Sequence, residues 1–200
     1  MVEIGSITTR RAFLGALTVA PIASSPGITR AAPWDAIVAA LPYASTDQPV
    51  QLCRSRAGRN DSRFRYHNAE SFFLGIERGI VRHPHDRLYQ TGIVLQLGLS
   101  SHLLDVGFAD QWCARHVGLN VARSLACANA TGFGFELAEF DLLAAILSPY
   151  SKWRFRQARE GADDLPFDAA EIRVLTRMLL DHVHQVTGHP RPRGWNARHG

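Results

Sequence analysis

An apolar stripe at the spacing of an α-helix runs through the C-terminal part of the chain. Large aliphatic residues recur every three or four positions there: Ile172, Leu175, Leu179, Val183 and Val186. Asp168 and Glu171 precede the stripe in the pattern of a capping box, and Gly188 follows it as a helix-ending residue. This stretch therefore predicts an amphipathic helix that buries one face.

Helical patterns cover most of the chain after Asn68, and no stretch alternates apolar and polar residues as a half-buried strand does. Asn68 is a predicted N-cap, and the helix that it starts is broken at His83-Pro84-His85. Further helices are predicted at Trp34–Leu41, Asp86–Leu104, Ala109–Ala128, Phe135–Leu147 and Tyr150–Glu160. The chain is therefore predicted to be all-α, a single bundle of five or six helices after a cleavable or disordered N-terminal segment.

The length of 200 residues predicts one domain with flanking segments. We divide the chain into residues 1–31, an N-terminal segment; 32–67, an N-terminal helix and an Arg-rich loop; 68–188, the helical domain; and 189–200, a basic tail. The tail is expected to be frayed, because it lies at a chain end.

The N-terminal segment has two consecutive arginines, Arg10 and Arg11, followed by Phe13 and Leu14. A short apolar stretch comes next, and small residues follow it. This pattern resembles a twin-arginine export signal of bacteria. The resemblance implies recognition by the export machinery, removal of residues 1–31 and a periplasmic or secreted protein. The alternative is an ordinary N-terminal tail on a cytoplasmic protein.

The charge and the cysteines exclude some classes of protein. The formal net charge is +4 and falls to +2 if residues 1–31 are removed, so the balance does not by itself indicate nucleic acid. No apolar run reaches the ~18 residues of a membrane-spanning helix, so no transmembrane segment is expected in the mature chain. Three cysteines cannot all pair within one chain.

Polar and thiol side chains share one strip of the predicted helix Ala109–Ala128. At about 100° per residue, this strip is roughly 80° wide. Its members are Cys113, His116, Asn120, Arg123 and Cys127. His116 could activate the Cys113 thiol, or the two could begin a metal site. The simpler interpretation, which we favour, is a polar face on which the cysteines act as small apolar residues.

The same continuous helix would hold Cys113 and Cys127 about 21 Å apart, beyond the reach of a disulfide. Gly118 and Ala122 would lie on the back of that helix. Such small residues would allow a neighbouring helix to approach closely.

Residues 53–66 are predicted to form a loop, with turn signals at Gly58 and Asn60-Asp61. The loop contains a set of candidate nucleic-acid contacts: Arg54, Arg56, Arg59, Arg63 and Arg65. Phe64 and Tyr66 lie among the last of these and could stack on bases. A solvated loop whose arginines pair with nearby acids is the interpretation that we favour, so nucleic acid is not an expected partner.

No phosphate-binding glycine loop, zinc-protease motif or nucleophile elbow occurs in the chain. The sequence therefore favours an exported, non-catalytic helical domain that binds a protein partner and carries no cofactor or metal. Two alternatives stay open. One is a cytoplasmic nucleic-acid-binding or regulatory module, and the other is a thiol- or metal-dependent enzyme that uses Cys113 and His116.

Overall fold

The computed structural model describes residues 52–155 and 165–192. Within these ranges the protein is all-α and contains no strand, which confirms the predicted fold class and the predicted number of helices. The elements are α1 (Arg56–Glu77), α2 (Pro84–Val106), α3 (Asp110–His116), α4 (Val121–Ala130), α5 (Ala138–Ile146), a 3-10 helix (Tyr150–Arg154) and α6 (Ala169–Thr187). The predicted helix Trp34–Leu41 and the residues of the export signal lie outside the described ranges.

Helix α2 is the centre of the bundle. It packs against α1, α4, α6 and the 3-10 helix, and more than half of its residues are buried. Its first residue is Pro84, which is well suited to the first turn because that turn leaves its backbone N–H groups without helical partners. The predicted central helix over residues 86–104 is thus present and slightly longer. No helix in the described part of the chain is both long and apolar enough to span a membrane.

Gly107 ends α2 and brings the chain back against the start of α1. Its φ of 114° is in a region that glycine adopts without strain. A side chain there would also collide with the backbone of Cys53, because a Cβ atom would lie 2.6 Å from the Cys53 nitrogen. Both the turn and the close approach therefore require glycine.

Helix α6 forms as its sequence pattern predicts. The Asp168 carboxylate accepts hydrogen bonds from the backbone N–H groups of Ala170 and Glu171, and the Glu171 carboxylate accepts one from the N–H of Asp168. Gly188 ends the helix with a φ of 67°. The apolar stripe faces the core from Ile172 to Val183, and Leu179 and Val183 have no exposed surface. Its last member, Val186, is 40% exposed and does not belong to the core.

The predicted loop over residues 53–66 is wrong from Arg56 onward, because these residues form the first three turns of α1. Ser55, and not Asn68, caps this helix: its hydroxyl accepts a hydrogen bond from the N–H of Gly58 at 3.0 Å. The expected boundary between residues 67 and 68 consequently falls inside α1. Ser62 and Tyr66 of α1 are buried against the rest of the bundle. This tertiary packing stabilises the helical conformation of a segment whose local sequence does not favour a helix strongly.

The predicted helix Ala109–Ala128 is also wrong, because two helices, α3 and α4, replace it. Gly118 has a φ of 60° at the break, and the Asn120 side chain caps α4 by accepting a hydrogen bond from the N–H of Arg123. The break turns the chain, so the strip drawn along a continuous helix does not exist. Gly118 accordingly lies in a turn and does not form a small-residue helix face with Ala122.

Two later predicted helices are shorter than expected. Helix α5 begins at Ala138, because the preceding Phe133 and Phe135 leave the helical path and pack into the core. A 3-10 helix, Tyr150–Arg154, occupies the first part of the predicted helix Tyr150–Glu160, and residues 156–160 lie outside the described ranges.

Candidate functional site

The Cys113 thiol lies in the hydrophobic core, with 7% of the residue exposed. Burial, together with the charge of Asp110, raises its pKa to about 12. A nucleophilic cysteine needs the opposite change, a pKa lowered toward neutrality by a nearby cation. His116 does follow Cys113 by one turn in α3, but its ring packs on Trp112, with 4.8 Å between the ring centroids. Cys113 is therefore placed as a core residue.

The other members of the predicted strip have structural contacts. Asn120 caps α4, and an Nη atom of Arg123 donates a hydrogen bond to the backbone carbonyl of His116 at 3.1 Å. Both contacts stabilise the junction between α3 and α4. Cys127 is fully buried in the same core cluster as Cys113, and burial raises its pKa to about 11. The separation of about 21 Å expected on a straight helix no longer applies to these two thiols, which are both free.

Three of the five candidate nucleic-acid arginines face carboxylates. Arg54 and Arg59 both approach the buried carboxylate of Asp105, at 3.7 and 3.1 Å. Arg65 donates to Asp110 at 2.8 Å. The expectation that these arginines pair with nearby acids holds for these three, although Arg59 and Arg65 extend from α1 and Arg54 lies just before its N-cap. Arg56 and Arg63 are exposed on α1.

A buried serine, histidine and aspartate meet where α1, α2 and the segment after α6 come together. The hydroxyl of Ser62 lies 2.6 Å from Nε2 of His189 and donates to the backbone carbonyl of Ser101 at 2.7 Å. Asp105 lies 3.9 Å from the same ring nitrogen. Burial lowers the pKa of His189, and the carboxylate of Asp105 opposes that effect.

This Ser–His–Asp cluster does not have the geometry of a hydrolase. In a catalytic triad, the serine and the acid bind opposite nitrogens of the imidazole. Here both groups approach Nε2, and Ser62 has no exposed surface through which a substrate could reach it. The cluster is instead a buried set of polar contacts between helices and the segment after α6, and we call such a set a polar joint. It was missed in the sequence because 127 positions separate Ser62 from His189, and no local pattern connects them.

This polar joint connects residues 189–192, which follow α6, with α1. His67 bonds the backbone carbonyl of Pro190 at 2.9 Å, and Arg59 donates to the carbonyl of Thr187 at 3.3 Å. Arg191 donates to Asp181 on α6 at 2.8 Å. The predicted frayed tail over residues 189–200 is thus wrong for residues 189–192, which are held by these contacts. Residues 193–200 lie outside the described ranges.

A second polar joint connects α1 with α6. The guanidinium of Arg177 donates two hydrogen bonds to the carboxylate of Glu70, at 3.0 and 2.9 Å, and the Tyr66 hydroxyl donates a third at 2.8 Å. Glu70 has no exposed surface. Burial, followed by the charge of Glu70, raises the pKa of Tyr66. Arg177 also lies over the ring of Phe73, so the pair is packed as well as hydrogen bonded.

A cleft of about 290 Å³ opens between the start of α1 and the end of α2. Cys53, Asp61, Phe108 and Asp110 are among the residues that line it. Cys53 is exposed. No group of three or more histidine, cysteine or acidic side chains in the described part of the chain is arranged to hold a metal ion.

Comparisons with protein-family models, with curated proteins and with solved structures found no match for this chain. Function is therefore inferred from the residues and their geometry.

Proposed function

We propose that this protein is exported from a bacterial cell by the twin-arginine route and acts as a non-catalytic helical domain that binds a protein partner. Arg10, Arg11, Phe13 and Leu14 support the export step through their resemblance to the signal. A folded, all-α domain is compatible with this route, because the route carries proteins that have already folded.

The exposed side chain of Phe64 is the observation that supports binding of a protein partner. This side chain leaves the outer side of α1 and is 65% exposed, whereas Tyr66 and Phe73 on the inner side are buried. Transfer of a fully exposed phenylalanine side chain out of water contributes about 1.5–3 kcal/mol. A partner that covers Phe64 would gain most of that free energy, and aromatic residues are common anchors of protein interfaces.

The two alternative functions have weaker support. An enzyme built on Cys113 would need a reactive thiolate, but burial raises the pKa of that thiol to about 12. A nucleic-acid-binding module would use the arginines near the start of α1 on phosphates. Arg59 and Arg65 are already directed at carboxylates, which reduces the charge available for that purpose.

Export is tested by replacing both Arg10 and Arg11 with lysine and by fractionating the native cell. We expect the double variant to stay in the cytoplasm with residues 1–31 attached, while the wild-type protein is found outside it and is shortened. Replacing Arg115 and Arg173 with lysine is the matched control and should leave export unchanged. If the variant with lysine at positions 10 and 11 is found in the same compartment as the wild type, the twin-arginine export step is contradicted.

Partner binding is tested by photo-crosslinking in the same cells. p-Benzoylphenylalanine replaces Phe64 in one strain and the exposed Ala126 of α4 in another. We expect a discrete adduct with one protein from position 64 and none of that size from position 126. Equal labelling from the two positions, or no adduct from position 64, would contradict partner binding at this surface.

A further inference from the structure

The outer side of α1 presents a compact group of polar and aromatic side chains. At about 100° per residue, the group covers an arc of about 100°. Its members are Arg56, Asn60, Arg63, Phe64 and His67, which we call the outer face of α1. The first four are exposed, and His67 is half-buried through its bond to the carbonyl of Pro190.

The charge of this face is positive and is carried by arginine. The other three arginines of the segment approach Asp105 or Asp110, so the two carboxylates offset two of these three charges within the protein. Arg56 and Arg63 are seven positions apart, which places them on the same side of α1 about 10 Å from each other along the helix axis. Phe64 lies beside Arg63 and adds an exposed apolar surface.

We propose that the outer face of α1 binds an acidic segment of a protein, with carboxylates on Arg56 and Arg63 and an apolar side chain on Phe64. This inference rests on the proposed function and names the chemistry of its partner. A guanidinium matches a carboxylate through two parallel hydrogen bonds, and arginine and aromatic residues dominate the binding energy of many interfaces. Carboxylates about 10 Å apart on one face of a helix occur two turns apart, at positions i and i+7.

The amount of charge favours a protein over the other anionic partners. Affinity for nucleic acid depends on the number of phosphates that lysine and arginine neutralise, and polybasic membrane-binding segments carry about 4–8 lysines or arginines. The outer face has two arginines, Arg56 and Arg63. Two arginines next to an exposed phenylalanine suit a small number of carboxylates with an apolar residue between them.

The test measures binding of a fluorescent helical peptide that carries two glutamates seven residues apart with a leucine between them. A peptide with glutamine in place of both glutamates is the probe control. The wild-type protein should bind the glutamate peptide about tenfold more tightly than the glutamine peptide. The variant R56E/R63E should lose that difference, and F64S should weaken the binding of both peptides.

A matched variant separates a local effect from a general effect of charge. R115E/R173E changes the net charge by the same amount on the exposed surfaces of α3 and α6 and should bind the glutamate peptide like the wild type. Circular dichroism of each variant verifies its fold. Equal weakening by R56E/R63E and R115E/R173E would overturn the inference.

Two further outcomes distinguish the partner classes. Tighter binding of single-stranded DNA, or of vesicles of equal parts phosphatidylcholine and phosphatidylserine, than of the glutamate peptide would overturn an acidic protein segment as the partner. The photo-crosslink from position 64 is also measured in cells that carry R56E/R63E. If the crosslink persists there, binding of a protein partner is supported, but the role of the two arginines in that binding is overturned. Loss of that crosslink in R56E/R63E, with retention in R115E/R173E, supports both.

Discussion

Cys53 is exposed and lines the cleft, whereas Cys113 and Cys127 are buried in the main core cluster. Reactivity of a thiol depends on how readily it becomes a thiolate, and burial opposes that ionisation. The pKa is raised to about 12 for Cys113 and to about 11 for Cys127, with burial as the first cause for both. At the scale of single residues, solvent access therefore separates one accessible thiol from two core residues.

Labelling with iodoacetamide at pH 8 should modify Cys53 rapidly and leave Cys113 and Cys127 unmodified until the protein unfolds. The reason is that both buried thiols stay protonated and shielded from the reagent. Mass spectrometry of the native and the urea-unfolded protein counts the labels. The Cys53→Ser variant is the control and should lose the rapid label. Modification of native Cys113 as fast as Cys53 would restore the thiol enzyme as a candidate.

The contact between α2 and the 3-10 helix shows how one glycine sets the distance between two elements. A Cβ atom on Gly92 would overlap with Cβ of Tyr150. That tyrosine atom is next to the backbone, so it cannot move away without a shift of the 3-10 helix. Gly92 therefore allows the 3-10 helix to lie directly on α2.

Replacing Gly92 with alanine should destabilise the protein by about 1–3 kcal/mol, because the added methyl group overpacks this contact. Gly75→Ala in α1 is the matched control. Its Cβ atom would make an ordinary contact at 3.5 Å with Gln90, so the better helix propensity of alanine should leave stability unchanged or raise it by up to about 1 kcal/mol. Urea denaturation measures both variants. Equal stability of the two variants would refute the close contact.

The described part of the bundle contains two imidazoles that are almost completely buried, His102 on α2 and His189 in the segment after α6. Burial is the largest cause that lowers the pKa of each. For His102, His182 and Arg54 also disfavour the charged ring, and the pKa falls to about 4. Both rings are therefore neutral in the folded protein at pH 7.

Stability should decrease as the pH falls from about 6.5 toward 4. The unfolded chain protonates His102 with an ordinary pKa near 6.5, whereas the folded protein resists that proton until the pH is about 4. His102 alone should cost about 2 kcal/mol at pH 5 relative to pH 7.5, and His189 should act in the same direction.

Urea denaturation at pH 7.5 and pH 5 measures this loss of stability. The His102→Gln variant isolates the contribution of His102, because glutamine does not titrate and can still hydrogen bond the Thr131 hydroxyl that His102 contacts at 3.2 Å. Its stability should depend less on pH than that of the wild type. If the free energy of unfolding of the His102→Gln variant falls between pH 7.5 and pH 5 by as much as that of the wild type, His102 is not a source of the pH dependence.

Helices with strong local patterns were predictable. The capping box, the stripe and the terminal glycine of α6 all lie within one stretch of sequence, and so does the apolar character of α2. Helix α1 was not predictable in its first turns, because Gly58 and Asn60-Asp61 there carry turn signals. The segment is helical because its inner face packs against α2 and α6, whose residues are distant in sequence.

The sequence by itself determined the all-α class, the position of α2 and the limits of α6, because these depend on the period and the end signals of single segments. Tertiary structure alone decided which side chains are accessible and which distant residues meet. The joints between Ser62 and His189 and between Glu70 and Arg177 connect residues more than a hundred positions apart. Helix periodicity specifies the direction of a side chain within its own helix, but packing of the other helices specifies whether that side chain is buried.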